Sequence, residues 1–402
     1  MATNDFTSVY ATKFGGLEKN LPHFTSAMAI CGKEAHNALK ASPSKTYQYD
    51  RVEEGYDSVN VYGSDNNIQT FTLGKDALVV NENKFEYSFT QNDMDTKIYH
   101  NADAFLSQKA KDAEKLLKRR IEGKFYSRVL DGNVTIDNAY FGGSAGTGID
   151  LSSIAPKTAL SRAKSVIAAQ YGSYENICAV ITPDMFDSIE SSATGLGFKY
   201  ADKTLMNGFK GGMLGIDFYV STYLTHKITY TFTGQPADAE TFNLVGVTGF
   251  TLVANGGSLT GEKQIIKGAS LATTLDAMES AINGFDTTTA TYQATTNKSE
   301  LSKLRGISAT STDTTLTITY NYGKIVSNIG DLTNATAGTQ LQYNYIGAKG
   351  AIELANPFGI KNETRYPGGK TDINYLTETF FGTATPTKRR AEFAPLVTEV
   401  VW

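Results

Sequence analysis

The spacing of apolar positions changes several times along this chain, and each change marks a different element. Within 95–130, apolar residues fall at Ala102, Leu106, Ala110, Ala113, Leu117, Ile121 and Phe125. Steps of three and four are the spacing of one helical face, so a single long amphipathic helix is predicted. Its other face carries Lys109, Lys111, Asp112, Glu114, Lys115, Lys118, Arg119, Arg120, Glu122 and Lys124, and reads as solvated. At about 1.5 Å per residue it would span roughly 50 Å, which suits a strut. Upstream, Phe85, Tyr87 and Phe89 alternate with Glu86, Ser88 and Thr90. Period two marks a strand with one apolar side. With Val59, Val61 and 68–73, and turn residues Asp65, Asn66, Asn67 and Gly74, it predicts a long two-stranded excursion returning into the helix.

The flanking segments have other textures. Residues 1–50 are weakly periodic, contain Pro22 and Pro43, and predict an extended arm with one short helix near 26–39. Such an arm buries little by itself and is expected to be ordered mainly by partners. After the long helix, 131–148 is glycine-rich and reads as a surface loop. Helices are predicted at 156–171 and 183–189, with strands at 177–181 and 216–220. Strands alternating with helices make an α/β lobe. From Lys227 to Ala337, Thr, Gly, Asn and Ala dominate. Strands are predicted there at 228–233, 242–253 and 314–320. One helix at 271–282 has Leu271, Leu275, Met278 and Ile282 on its apolar side. This segment reads as a mostly β module inserted into the lobe. An alternating strand at 393–402 closes an α+β chain.

Composition removes several classes of function. The 402 residues have room for two or three domains, and 41% hydrophobic with 19% charged residues suits a folded protein. A net charge of −4 gives no global attraction to nucleic acid or an anionic membrane. Cys31 and Cys178 make neither a disulfide framework nor a metal motif. His23, His36, His100 and His226 are scattered without ligand spacing. Residues 256–263 (GGSLTGEK) have a glycine pattern, but Glu262 stands where a phosphate loop requires lysine. Residues 143–148 (GSAGTG) lack a preceding apolar strand and read as a flexible loop. Asp93 and Asp95 fit either a metal site or the favourable field at a helix start. Asp131, Asn133 and Asp137 lack the closing glutamate of a calcium loop. Residues 1–10 show no secretory signal, and no run reaches membrane-spanning length. No enzyme activity, cofactor or metal is expected.

Four local motifs follow the same order as these parts. Phe85-Glu-Tyr-Ser-Phe-Thr leads through Asp93 into the long helix. Ile177-Cys-Ala-Val-Ile-Thr-Pro-Asp-Met-Phe makes a strand and the start of a helix. Gly211-Gly-Met-Leu-Gly-Ile-Asp-Phe-Tyr-Val-Ser and Arg389-Arg-Ala-Glu-Phe-Ala-Pro-Leu-Val complete the set. Over roughly three-quarters of its length the chain resembles the major capsid proteins of tailed phages, with the Hong Kong-type capsid fold.

The resemblance implies an N-terminal arm (1–50), an E-loop with peripheral-domain strands (51–92) and a spine helix (93–134). An axial domain in two parts (135–226 and 338–375) would be interrupted by the inserted β-rich domain (227–337), and 376–402 would close the peripheral domain. It further implies self-assembly into hexamers and pentamers of an icosahedral shell around double-stranded DNA. The alternative is an encapsulin-like compartment of the same fold; an adhesin or tail-tube protein would explain the Thr-rich segment but not the spine helix. Contacts between subunits are expected at Phe71, Leu73, Phe85 and Tyr87 of the excursion and Arg119 and Arg120 of the spine. Expected partners are further copies of the chain, a separate scaffold protein, a portal and decoration or head-fibre proteins. DNA would be touched weakly and non-specifically, and no membrane is involved. The expected location is the virion, after assembly in the host bacterial cytoplasm. Lys75 and Lys84 lie where some relatives form an isopeptide crosslink, without an identifiable Asn and Glu to match.

Overall fold

The computed structural model describes residues 25–42, 44–52, 73–80, 83–91, 102–172, 176–192, 209–357, 360–365 and 373–400. Thr25 caps the first helix by accepting the Met28 N–H, and α1 (Ser26–Ile30) and α2 (Glu34–Ala41) follow with a break between them. Ala27, Met28, Ile30, Ala35 and Leu39 are all buried. The expectation that this part of the arm needs partners to order it is therefore corrected for 25–41. Its small apolar residues pack into the chain's own core.

β1 (Thr46–Val52) pairs antiparallel with β2 (Leu73–Val79), from Thr46 opposite Val79 to Val52 opposite Leu73. The excursion is thus built on a strand that the sequence pattern placed in the arm. Residues 53–72, with the strand positions Val59, Val61 and 68–72, lie outside the described residues. β3 (Asn83–Gln91) does not pair with β2. Then comes α3 (Ala102–Ser127), continued by a 3-10 turn, Arg128–Asp131. Its 26 residues span about 39 Å. Ala110, Ala113, Leu117, Ile121 and Phe125 are buried as their spacing predicts, and 95–101 lie outside the described residues.

The α/β lobe supplies α4 (Pro156–Tyr171), β4 (Ile177–Ile181), α5 (Pro183–Ser192), β5 (Phe209–Met213) and β6 (Ile216–Val220). Proline in the first turn starts α4, and Gly172, at φ +72°, ends it in the left-handed conformation that glycine adopts without strain. The glycine-rich segment after α3 is pinned: the Asp137 carboxylate accepts the Ala139 N–H at 3.0 Å and the Gly146 N–H at 2.6 Å. That corrects its expected flexibility.

Next in the chain are β7 (Thr225–Phe232), β8 (Thr241–Leu244), β9 (Val247–Val253), β10 (Gln264–Ile266), α6 (Leu271–Asn283), α7 (Lys298–Leu304), β11 (Ile307–Ser311), β12 (Thr315–Tyr320) and β13 (Ala335–Ala337). The chain closes with β14 (Leu341–Ala348), β15 (Glu353–Ala355), β16 (Ile360–Arg365), β17 (Ile373–Ala384) and β18 (Phe393–Glu399). A nine-stranded sheet runs β11-β12-β7-β14-β4-β6-β5, with β13 on β7 and β18 on β14. The β module has its own core, which includes Phe242, Phe250, Leu275, Met278, Ile282, Leu316 and Ile318. Yet β7 pairs with both β12 of the module and β14 of the lobe, so one sheet joins them. The boundaries expected at 226/227 and 375/376 fall inside β7 and β17.

β3 instead pairs with β17, which also holds β16 and β15. Phe89 stacks on Tyr375 with ring centroids 4.8 Å apart. This four-stranded sheet, α1 and α3 enclose a core of Phe85, Leu117, Ile121, Phe125, Tyr126 and their neighbours. No helix among the described residues is long and apolar enough to cross a membrane.

Candidate interaction groove

The polar side of α3 is not simply solvated. Arg119 and Arg120 are half-buried, and each lies against an aromatic ring. Arg119 donates to the Tyr320 hydroxyl, and its guanidinium lies 4.6 Å from the Tyr322 ring centroid. Arg120 lies 5.5 Å from the Phe85 ring centroid and donates to the Lys84 carbonyl at 3.4 Å. A guanidinium over an aromatic face is worth about 0.5–2 kcal/mol, more where water is excluded. These contacts latch the β module and β3 onto one helix. Gly123 lets the module come close: a Cβ there would lie 2.1 Å from the Tyr322 ring and 2.7 Å from the Asn321 carbonyl oxygen.

Between β3, α3 and α7 opens a groove of ≈ 540 Å³. Tyr87 and Leu116 form its apolar floor over the buried Phe85, with Leu301 and Tyr322 on the module side. Among the described residues, four cations line it: Arg119, Arg120, Lys298 and Arg305. The one carboxylate among these lining residues, Glu86, is taken by Lys84 at 2.9 Å, and Lys84 also bridges Glu378 at 2.8 Å. Ser88 and Ser302 line the groove, but no histidine among the described residues stands beside them to act as a base. The arrangement sets four cations around an apolar floor.

Four of the six residues singled out from the sequence, Phe85, Tyr87, Arg119 and Arg120, meet in this groove. Phe71 lies outside the described residues. Leu73 opens β2 opposite Val52, in the hairpin. Phe85 needs a correction: it is 1% exposed, because the apolar side of β3 packs on the chain's own α3. It cannot also bury itself against a neighbour. Sequence reasoning missed Lys298, Leu301, Ser302 and Arg305, although their steps of three and four mark one face of α7 and its continuation.

Two buried carboxylates tie the N-terminal helices down. Glu122 is 2% exposed and accepts three hydrogen bonds, from the Ser26 N–H and hydroxyl and from the Ser221 hydroxyl. Burial holds its pKa above the usual carboxylate value, against the lowering pull of those bonds and of Lys118. The Glu353 side chain is fully buried, pairs with Arg389 at 2.5 Å and accepts the Ala35 N–H at 3.3 Å. Burial raises its pKa too, opposed by Arg389. Arg389 reaches Glu34 as well, at 2.8 Å.

The remaining chemical candidates resolve into structure. Burial pushes both the Cys31 and Cys178 thiols up to about 12, which removes thiolate character at neutral pH. Glu262 accepts the Thr296 N–H at 3.1 Å and hydroxyls of Thr295 and Thr296, while Lys263 pairs with Glu300 at 3.0 Å. That segment is a folded corner of the module. Asp93 and Asp95 lie outside the described residues, and among those described no group of three or more His, Cys, Asp or Glu could hold a metal.

No family model and no curated protein matches the chain. Among solved structures it is similar to a chain of Mycobacterium phage Che8, at 11% identity and TM-score 0.46, covering 92% of this chain and 89% of that one. It is similar to a chain in the head structure of the Helicobacter pylori bacteriophage KHP40, at 8% identity and TM-score 0.44, covering 94% and 91%. A chain in the capsid structure of the cyanophage P-SCSP1u gives 10% identity and TM-score 0.43, covering 88% and 83%.

Proposed function

We propose that the chain is a structural shell subunit, the major capsid protein of a tailed phage, which self-assembles into an icosahedral container for double-stranded DNA. The observation that carries this reading is charge complementarity within one sequence. β1 ends at Val52 and β2 begins at Leu73, leaving the 20 residues 53–72 to connect them. This connection carries Glu53, Glu54, Asp57 and Asp65 and no Lys or Arg. The groove beside α3 carries the opposite charge on an apolar floor. An acidic segment on one copy and a basic groove on the next make a head-to-tail contact, which generates a ring where its rotation closes.

In capsid terms the connection is the E-loop, α3 the spine helix, and β3 with β15, β16 and β17 the sheet of the peripheral domain. The lobe around β4, β6 and β14 is then the axial domain. Each exposed charge pair is worth only about 0.2–1 kcal/mol, so strength comes from repetition round a hexamer or pentamer. A net charge of −4 suits a container that holds DNA without sticking to it. A separate scaffold protein and a portal are the further partners of this role, with decoration or head-fibre proteins as optional additions to the shell.

Charge reversal tests the reading. The Lys298→Glu, Arg305→Glu double variant changes two exposed groove residues and is expected to leave the monomer folded but abolish shells. Adding Glu53→Lys and Glu54→Lys should restore them in part. Normal shells from the double variant would refute this contact.

A further inference from the structure

A second groove, of ≈ 610 Å³, lies where the β module meets the last strand of the chain. Ile228, Tyr230 and Ile325, all buried, form its floor. Val326 lines it too, at 59% exposure, and no other large apolar side chain among the described residues is so exposed. Main-chain bonds hold Val326 in that position. Its carbonyl accepts the Val245 N–H at 2.7 Å, and the Gln340 amide brackets the main chain of Ile325, at 2.7 and 3.2 Å. The Ser327 hydroxyl bonds the Tyr230 hydroxyl. A lone exposed valine needs no explanation, but one fixed in an apolar groove is the setting in which exposed apolar surface marks a contact.

The closing strand leads into this groove. β18 pairs with β14 as far as Glu399 opposite Leu341, and the ladder runs one residue further, where the Val400 N–H donates to the Gln340 carbonyl at 2.9 Å. Val400 lines the groove, and the described residues end there. Val401 and Trp402 follow in the sequence. The same register carries them along 337–339, where Ala337, Gly338 and Thr339 all line the groove. Among the described residues β13 pairs only with β7, so its other edge is open to a strand. Side chains alternate between the faces of a strand, so position 402 shares the face of Val400. At about 3.3 Å per residue it falls about 7 Å past Val400, beside two residues whose small side chains leave room for a large ring.

We propose that Val401 and Trp402 extend β18 along the open edge of β13, and that the Trp402 indole of the same chain seats in the groove over Val326. A tryptophan covers about 150–250 Å² when buried, and its N–H needs an acceptor. Asn328 and Asp331, which also line the groove, supply side-chain oxygens for it. The contact ties the last strand of the lobe to the 325–331 segment of the β module. It is a latch separate from the one made by Arg119 and Arg120, and it stands independently of the shell assignment.

Trp402 is the only tryptophan of the chain, so indole emission from the full-length protein reports on it alone. In dilute monomer the emission should lie at shorter wavelength than in urea, and acrylamide should quench it several-fold less. Val326→Glu and Ala337→Glu each put a charge at an exposed position of the groove. Both should move emission and quenching toward the urea values while circular dichroism stays native. Mixing the Val326→Glu chain, which keeps its tryptophan, with a Trp402→Ala chain, which keeps its groove, separates docking within one chain from docking into a second copy. No recovery of the protected emission is expected. Hydrogen exchange supplies a readout that needs neither groove variant: Trp402→Ala should lose protection several-fold in 325–331 while β14 keeps its own. Urea-like emission from the native chain, protected emission untouched by Val326→Glu and Ala337→Glu, recovery on mixing, or unchanged protection in Trp402→Ala would overturn the proposal.

Discussion

Replacing Glu122 tests how the N-terminal helices are held to the body of the chain. Its Oε1 receives the Ser26 N–H at 2.9 Å and hydroxyl at 2.8 Å, and its Oε2 receives the Ser221 hydroxyl at 2.6 Å. Since the Ser26 hydroxyl hydrogen is used on Glu122, the Tyr126 hydroxyl donates to Ser26, at 2.6 Å. Glu122→Ala strands the Ser26 N–H, which cannot turn away, and leaves two hydroxyls to find other acceptors. Unsatisfied donors cost about 1–3 kcal/mol each, offset by the burial penalty the carboxylate no longer bears. A net loss of about 3 kcal/mol follows. At about 2.1 cal/mol/K per residue, the 402-residue chain has an unfolding entropy near 0.8 kcal/mol/K, so Tm should fall by about 4 °C. Glu122→Gln keeps an acceptor for Ser26 and offers Ser221 a donor, so it should lie within about 1 kcal/mol of the native chain. The pH dependence has a definite sign. A carboxyl whose folded pKa is raised favours folding most below its unfolded value, and that contribution is lost as pH rises through the folded pKa. The native chain should therefore gain on Glu122→Gln as pH falls. Hydrogen exchange across 26–41 with thermal melts reads both effects. Unchanged Tm and unchanged protection in Glu122→Ala would refute the clamp.

Three other perturbations follow from the same geometry. Arg389→Met leaves the Glu353 carboxylate buried with the Ala35 N–H, at a cost of about 3–5 kcal/mol. Acid should restore much of this by protonating Glu353, and urea melts that show no such recovery would contradict the pairing. Burial lowers the His226 pKa from 6.5 to about 4, so its neutral form supports the fold above the unfolded value and the support fades as pH falls. That is about 3 kcal/mol, which acid titration of His226→Gln should show as a flatter decline than the native chain. Gly123→Ala gains about 1 kcal/mol of helix propensity. Its Cβ, however, meets the Asn321 carbonyl oxygen at 2.7 Å, so a net loss of about 2 kcal/mol is expected. A higher Tm would mean the module does not lie on α3 as described.

Local periodicity alone makes part of this fold readable. α4 begins at its proline and stops before Gly172, and five of the predicted apolar positions of α3 are buried. What periodicity misses depends on distant partners. Nothing within 83–91 indicates that Phe89 will face Tyr375, or that β3 will leave β2 for β17. Arg119 reads as solvated because its partners, Tyr320 and Tyr322, arrive about 200 residues later. Glu122 sits among lysines and arginines on the polar side of its helix, and only Ser26 and Ser221 show that this position is interior. Half of the groove is readable on β3 and α3. The half on α7 is hidden because a seven-residue helix in a Thr-rich segment gives a weak periodic signal.

The most direct test of the shell assignment is negative-stain electron microscopy of the full chain, expressed alone and with the products of its neighbouring genes. Closed icosahedral particles of uniform size are the predicted result, with 53–72 of one subunit crosslinking to the α3–α7 groove of the next. Monomers or small rings under every condition, with a candidate scaffold supplied, would contradict it.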